Sequence, residues 1–159
     1  MRKADLLRAR LATMMPALAR DPDRLAMWVE KGHVTARLGP QRGFALAYDL
    51  TVLVSGFASD AAMLMFIVCD WLREHQPDLL ASGAQGFAFE ADILDEKTVD
   101  VQITLPLTEV VLAQGQADGR WDLSTRDEPM PMLPDDEPLG AGLTSIWVNG
   151  QQVAPLAGA

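Results

Sequence analysis

Two alternating runs around a short polar turn constrain this chain most. Phe87, Phe89, Ala91 and Ile93 alternate with Ala88, Glu90, Asp92 and Leu94. After Asp95-Glu96-Lys97, Val99, Val101, Ile103, Leu105 and Leu107 alternate with Thr98, Asp100, Gln102 and Thr104. Side chains on a strand point to opposite faces in turn, so period two predicts a half-buried β-hairpin. A third run is longer. Phe44, Leu46, Tyr48, Leu50, Val52 and Val54 share one face, while Ala45, Ala47, Asp49, Thr51 and Leu53 take the other. That mixed second face predicts only partial cover. Pro106 cannot donate to a ladder and marks an edge, bulge or bend, with strand resuming over Glu109 to Ala113. Leu25 to Glu30 and Val34 to Leu38 flank Lys31-Gly32, which reads as a hairpin turn.

Two segments have helical spacing. Leu7, Leu11, Met14 and Leu18 fall on one face of a helix over 3–20, with a kink or break expected at Pro16. Ser59 or Asp60 caps a helix from Ala61 that Pro77 ends after Gln76. Ala61 to Cys69 is apolar all round, so this helix is buried on more than one side. The sheet takes one side; either the first helix or a second subunit takes the other. The fold class expected is α+β: a mostly antiparallel sheet, two main helices packed on one face, and a C-terminal β-hairpin arm.

The arm is read from residues 125–138, TRDEPMPMLPDDEP, whose prolines and acids suit an extended linker rather than core. Behind it, Asn149-Gly150 between Ile146-Trp147-Val148 and Gln151-Gln152-Val153 is the signal of a two-residue hairpin. A lone hairpin is marginal in water and must pack on something. The organisation expected is a domain over 1–124, an acidic Pro-rich linker over 125–138, and a hairpin arm over 139–159. The arm is expected to reach a neighbouring copy.

Composition removes whole classes of function. Lys+Arg total 13 and Asp+Glu 22, a net charge of −9, which disfavours general binding to phosphate backbones or anionic lipid. Six basic and three acidic residues lie in 1–24, so the remainder holds seven against 19, a net of −12. No apolar run approaches the length of a membrane span, and the N-terminus lacks the apolar core of a signal peptide. A single cysteine, Cys69, allows no internal disulfide and no multi-thiolate metal site. His33 falls in a turn. His75 ends a helix, where its charge would suit the dipole. The acids Glu90, Asp92, Asp95, Glu96 and Asp100 lack calcium-loop spacing and read as a solvated face. No nucleophile elbow, phosphate-binding glycine loop or dinucleotide fingerprint occurs. These patterns point to no catalytic, cofactor-binding or metal residues, and to no cofactor.

YDLTVLVSGF (48–57), WLREHQPDLL (71–80), FEADILDEKTVDVQITLPLTE (89–109) and IWVNGQQV (146–153) resemble the tail-completion protein R family of peduovirus-like contractile-tailed phages. The resemblance implies a structural virion protein, made in the bacterial host cytoplasm, that finishes the head-proximal end of the tail. By analogy with tail terminators, it implies a six-fold ring capping tube and sheath and joining the neck. The partners implied are further copies of the chain in a homo-hexamer, tail tube and sheath proteins, and neck or connector proteins. DNA is met only in transit through the lumen, and no membrane is involved. An acidic lumen would repel that DNA. A ring needs two unlike patches that close on rotation. Arg2, Lys3, Arg8 and Arg10 of the basic segment, Met65 and Trp71 of the apolar helix, and Ile146, Trp147 and Val148 of the hairpin are the expected interface residues. Rival expectations are a neck or head-completion adaptor docking on a finished tail and, remotely, a metal-dependent hydrolase using the acidic hairpin.

Overall fold

A computed structural model describes residues 1–154 except 41, 59, 96, 97, 128–142 and 149. The architecture is α+β. Helices α1 (Arg2–Met14) and α2 (Pro16–Arg20) lead through a 3-10 turn into strands β1 (Leu25–Ala36) and β2 (Phe44–Phe57). Helix α3 (Ala61–His75) follows, then β3 (Ala88–Ile93), β4 (Val99–Gly115) and β5 (Trp121–Thr125). A separate hairpin, β6 (Ile146–Val148) and β7 (Gln151–Ala154), closes the described chain.

The main sheet is antiparallel with order β1-β2-β4-β3, and β5 pairs the far end of β4. The period-two runs set its buried face. Tyr48, Leu50, Val52 and Val54 of β2 lie beside Val101, Ile103, Leu105 and Leu107 of β4, all buried under the helices. Helix α3 adds Met63, Leu64, Ile67, Val68, Trp71 and Leu72, and α1 adds Leu7, Leu11 and Met14. Asp60 caps α3, its carboxylate accepting the Ala62 N–H at 2.8 Å. The alternative cap Ser59 and the turn residues Glu96 and Lys97 lie outside the described residues.

Pro16 breaks the first helix. A proline cannot donate to the preceding turn and pushes the residue before it toward extended backbone. Met15 accordingly stands at φ −125°, ψ 81°, and Pro16 opens α2.

The expected turn at Lys31-Gly32 is corrected. Residues 25–36 form one strand, and the pairing with β2 shifts between Val29 and Gly32. Glu30 and Lys31 together oppose Asp49, so the glycine marks a bulge and not a reversal. By contrast, the edge reading of Pro106 holds: β4 runs unbroken through it. The Thr108 N–H, two residues on, points away from β2 and donates to Gln76 Oε1 at 3.0 Å. Pro106 has the same parity, so its missing N–H falls on the edge stretch between β3 and β5, where no ladder bond is lost. Strand β5 has no counterpart in the sequence expectations.

Candidate assembly surfaces

The basic N-terminal residues are largely engaged within the chain. Arg2 forms an ion pair with Asp127. Lys3 is buried, and its Nζ donates to Gln76 Oε1 at 2.6 Å. Arg8 reaches the Leu25 carbonyl at 3.4 Å. Arg10 lies 3.3 Å from Glu74 and 3.7 Å from Asp70 on α3.

Beneath this segment is a buried polar knot. Glu109 accepts the backbone N–H groups of Arg2 and Lys3, each at 3.1 Å, and the Tyr48 hydroxyl. Burial and the adjoining Glu109 carboxylate push the Tyr48 phenol up, keeping it protonated as the donor. Gln76 donates to Asp78 at 2.6 Å and to Thr108 Oγ1 at 3.1 Å. The sequence held one signal for this knot. Glu109 has the core-facing parity of Leu105 and Leu107, where a carboxylate demands partners.

Helix α3 spends most of its apolar surface inside the chain. Trp71 is buried and lies with its ring centroid 4.8 Å from that of His75. Met65 is half-buried, while Phe66 is 53 % exposed. Burial raises the Cys69 thiol, which fits an inert position. Burial also lowers the His75 pKa, outweighing Glu74 at 3.7 Å, with Lys3, Arg10 and Arg2 adding to the lowering. The expected gain from a charged histidine at the helix end is thereby corrected: desolvation favours neutral imidazole here.

The C-terminal hairpin packs on its own chain through Ala154, Val153, Ile146 and Leu143. Trp147 does not join them. It is 61 % exposed, its indole N–H bonded to Ser145 Oγ at 3.2 Å. Trp147, Ile146, Leu143, Ala62, Met63 and Phe66 line an open apolar cleft at the start of α3. The Val148 side chain, Asn149 and linker residues 128–138 lie outside the described residues.

The sheet's second face is open and acidic. Asp49, Glu90, Asp92, Asp100 and Asp122 occupy it by register, beside exposed Trp28, Val110 and Leu112. Among the described residues two bases adjoin this face by register: Lys31, which opposes Asp49 in the β1 bulge, and Arg126, whose backbone N–H donates to the Val110 carbonyl. No group of three or more His, Cys, Asp or Glu among the described residues is placed to hold a metal ion. No described helix is long and apolar enough to cross a membrane.

Residues 1–129 match the family model of the P2 phage tail completion protein R (GpR). The chain belongs to that family. It is also 33% identical over 157 residues to the Tail completion protein R of Escherichia phage P2, covering 97% of each chain. No solved structure matches it. The family match spans α1 through β5 and so includes the polar knot and the whole main sheet.

Proposed function

We propose that this chain is a structural, non-enzymatic phage tail completion protein of the virion. The observation that carries this reading is its family membership, with 33% identity to the phage P2 protein along 97% of both chains. In its finer form, the protein sits at the head-proximal end of a contractile tail. There it forms a six-membered ring that caps tube and sheath and meets the neck proteins.

Three features support the finer form. A closed ring requires two unlike surfaces on each subunit, and the sheet ends in unlike strands, β1 on one side and β3 and β5 on the other. Phe66 and Trp147 expose apolar surface at one cleft, which suits contact with tube, sheath or a neighbouring copy. The open sheet face, where acids outnumber bases by register, suits a lumen through which DNA passes without sticking.

The test is light scattering across concentration with negative-stain imaging, followed by co-sedimentation with isolated tail tube and sheath. Rings, or binding to tube or sheath, support the terminal position. A chain that binds neither and attaches only to finished tails supports a neck adaptor instead.

A further inference from the structure

We propose that copies of this chain join edge to edge, the free edge of β1 in one subunit pairing antiparallel with the free edge of β3 in the next. This rests on the ring reading above and names the surface that builds it. Both strands pair on one side only among the described residues, β1 with β2 and β3 with β4. The order β1-β2-β4-β3 is antiparallel throughout, so β1 and β3 run in opposite directions. A β1 laid against a neighbour's β3 therefore continues the same antiparallel sheet.

Hydrogen-bond parity shows which residues would carry the joint. At the hairpin, the Leu94 N–H donates to the Thr98 carbonyl at 3.1 Å. Further along β4, the Thr108 N–H and the Val110 carbonyl both turn away from β2, toward Gln76 and Arg126. Even-numbered residues of β4 thus bond toward the β3 side. The partners of Asp100, Gln102 and Thr104 are Asp92, Glu90 and Ala88, which spend their backbone groups inward. Phe89, Ala91 and Ile93 are left turning N–H and C=O outward. The same alternation carried across β2 turns Leu25, Met27 and Val29 outward on β1; Leu25 already spends its N–H on the Pro22 carbonyl, so the free groups belong to Met27 and Val29. The Arg8 contact to the Leu25 carbonyl agrees with this direction.

The two sets meet in register without sliding. Leu25 is level with Val54, Val101 and, across the sheet, Ala91. Met27 is level with Val52, Ile103 and Phe89. Joining at that level sets the outward donor and acceptor of Met27 opposite those of Phe89. It also covers the Phe89 ring, 58 % exposed, with Met27 of the next copy.

Charge selects this pairing over its symmetric rival. Residues 88–95 carry Glu90, Asp92 and Asp95 and no base, whereas the facing stretch Leu25, Ala26, Met27 and Trp28 carries no charge. Two β3 edges would set acids against acids; a β1 edge beside a β3 edge would not. A contact between two different edges is heterologous, the kind that closes into rings.

Single-cysteine chains test this in a Cys69→Ala background. Ala26 and Glu90 sit level on the open face as a non-hydrogen-bonded pair, whose close Cα spacing admits a disulfide. A mixture of the Ala26→Cys and Glu90→Cys chains, oxidised in solution and on isolated tails, should form covalent dimer at least roughly tenfold faster than either chain alone. Ala91→Pro sets a proline ring on the outward side of β3, in the way of an approaching strand, without touching the β4 ladder. It should abolish that excess while leaving the far-ultraviolet circular dichroism unchanged. No excess in the mixture, or an excess that survives Ala91→Pro in a folded chain, overturns the proposal. Oligomers seen by light scattering without the Ala26–Glu90 bond leave the ring standing and remove this edge. Neither oligomers nor the bond, in solution or on tails, removes both.

Discussion

Glu109 accepts the backbone N–H of Lys3 at 3.1 Å, so a strand residue 106 positions away caps the first helix. Met1 gives α1 no side-chain cap of its own. The exposed N–H groups of a first turn carry partial positive charge, and a carboxylate is the natural partner. Replacing Glu109 by Ala leaves the Arg2 and Lys3 amides and the Tyr48 hydroxyl without their buried acceptor. The expected loss is about 3 kcal/mol in chemical denaturation, combining a lost cap with unsatisfied donors. Glu109→Gln keeps an acceptor and should lose clearly less. Equal losses for the two variants would show that the carboxamide cannot serve the knot.

Acid sensitivity should carry a contribution from His75. Its pKa in the folded chain is lowered from 6.5, chiefly by burial, so the unfolded state takes up its proton first. Above pH 6.5 both states are neutral and the group costs nothing. As pH falls from there through the lower folded pKa, stability is lost. Thermal melts of His75→Gln should therefore fall less steeply than wild type as pH drops below 6.5, with the two slopes alike above it. A wild-type slope unchanged by the substitution would contradict this.

Gly43 is held by a close approach of backbone. A Cβ there would lie 2.7 Å from the Val111 carbonyl oxygen, and a carbonyl in a paired strand cannot swing aside like a side-chain tip. Gly43→Ala should cost roughly 1–3 kcal/mol, as overpacking does elsewhere. Gly39→Ala is the control, since its Cβ would meet nothing within 4 Å. Denaturation midpoints for the two variants separate the readings.

Phe66→Ser and Trp147→Ser should leave folding within about 0.5 kcal/mol, because both side chains are mostly exposed. If their cleft seats another virion protein, each should weaken co-sedimentation with tail tube or sheath. Normal co-sedimentation by both variants would remove the cleft from the assembly surfaces.

Much of the fold was legible from spacing alone. The alternation from Phe44 to Val54 and from Val99 to Leu107 reappears as buried and open faces of β2 and β4, whereas β3, expected half-buried, is exposed along its whole length because it flanks the sheet with a neighbour on one side only. The helical spacing of Leu7, Leu11, Met14 and Leu18 reappears as one buried stripe, broken where Pro16 required it. The turn misread at Lys31-Gly32 and the unread strand β5 have a common reason. Lys31-Gly32 looks like a turn, but whether a glycine reverses a strand or bulges it depends on what lies alongside, here β2. Strand β5 is short, and it is a strand because β4 extends far enough to receive it.

The assembly surfaces divide in the same way. The acidic balance and the apolar excess of α3 can be counted in the sequence. Their use cannot: burial of Lys3 and Trp71 and exposure of Phe66 and Trp147 follow from which elements stack on which. The sequence by itself determined the faces of each strand and helix, because side-chain direction repeats locally with a fixed period. Only the tertiary structure decided that Glu109 caps α1, that β1 and β3 lie at opposite edges of the sheet, and that the acids share one open face. Those relations join residues far apart in the chain, and no local period encodes them.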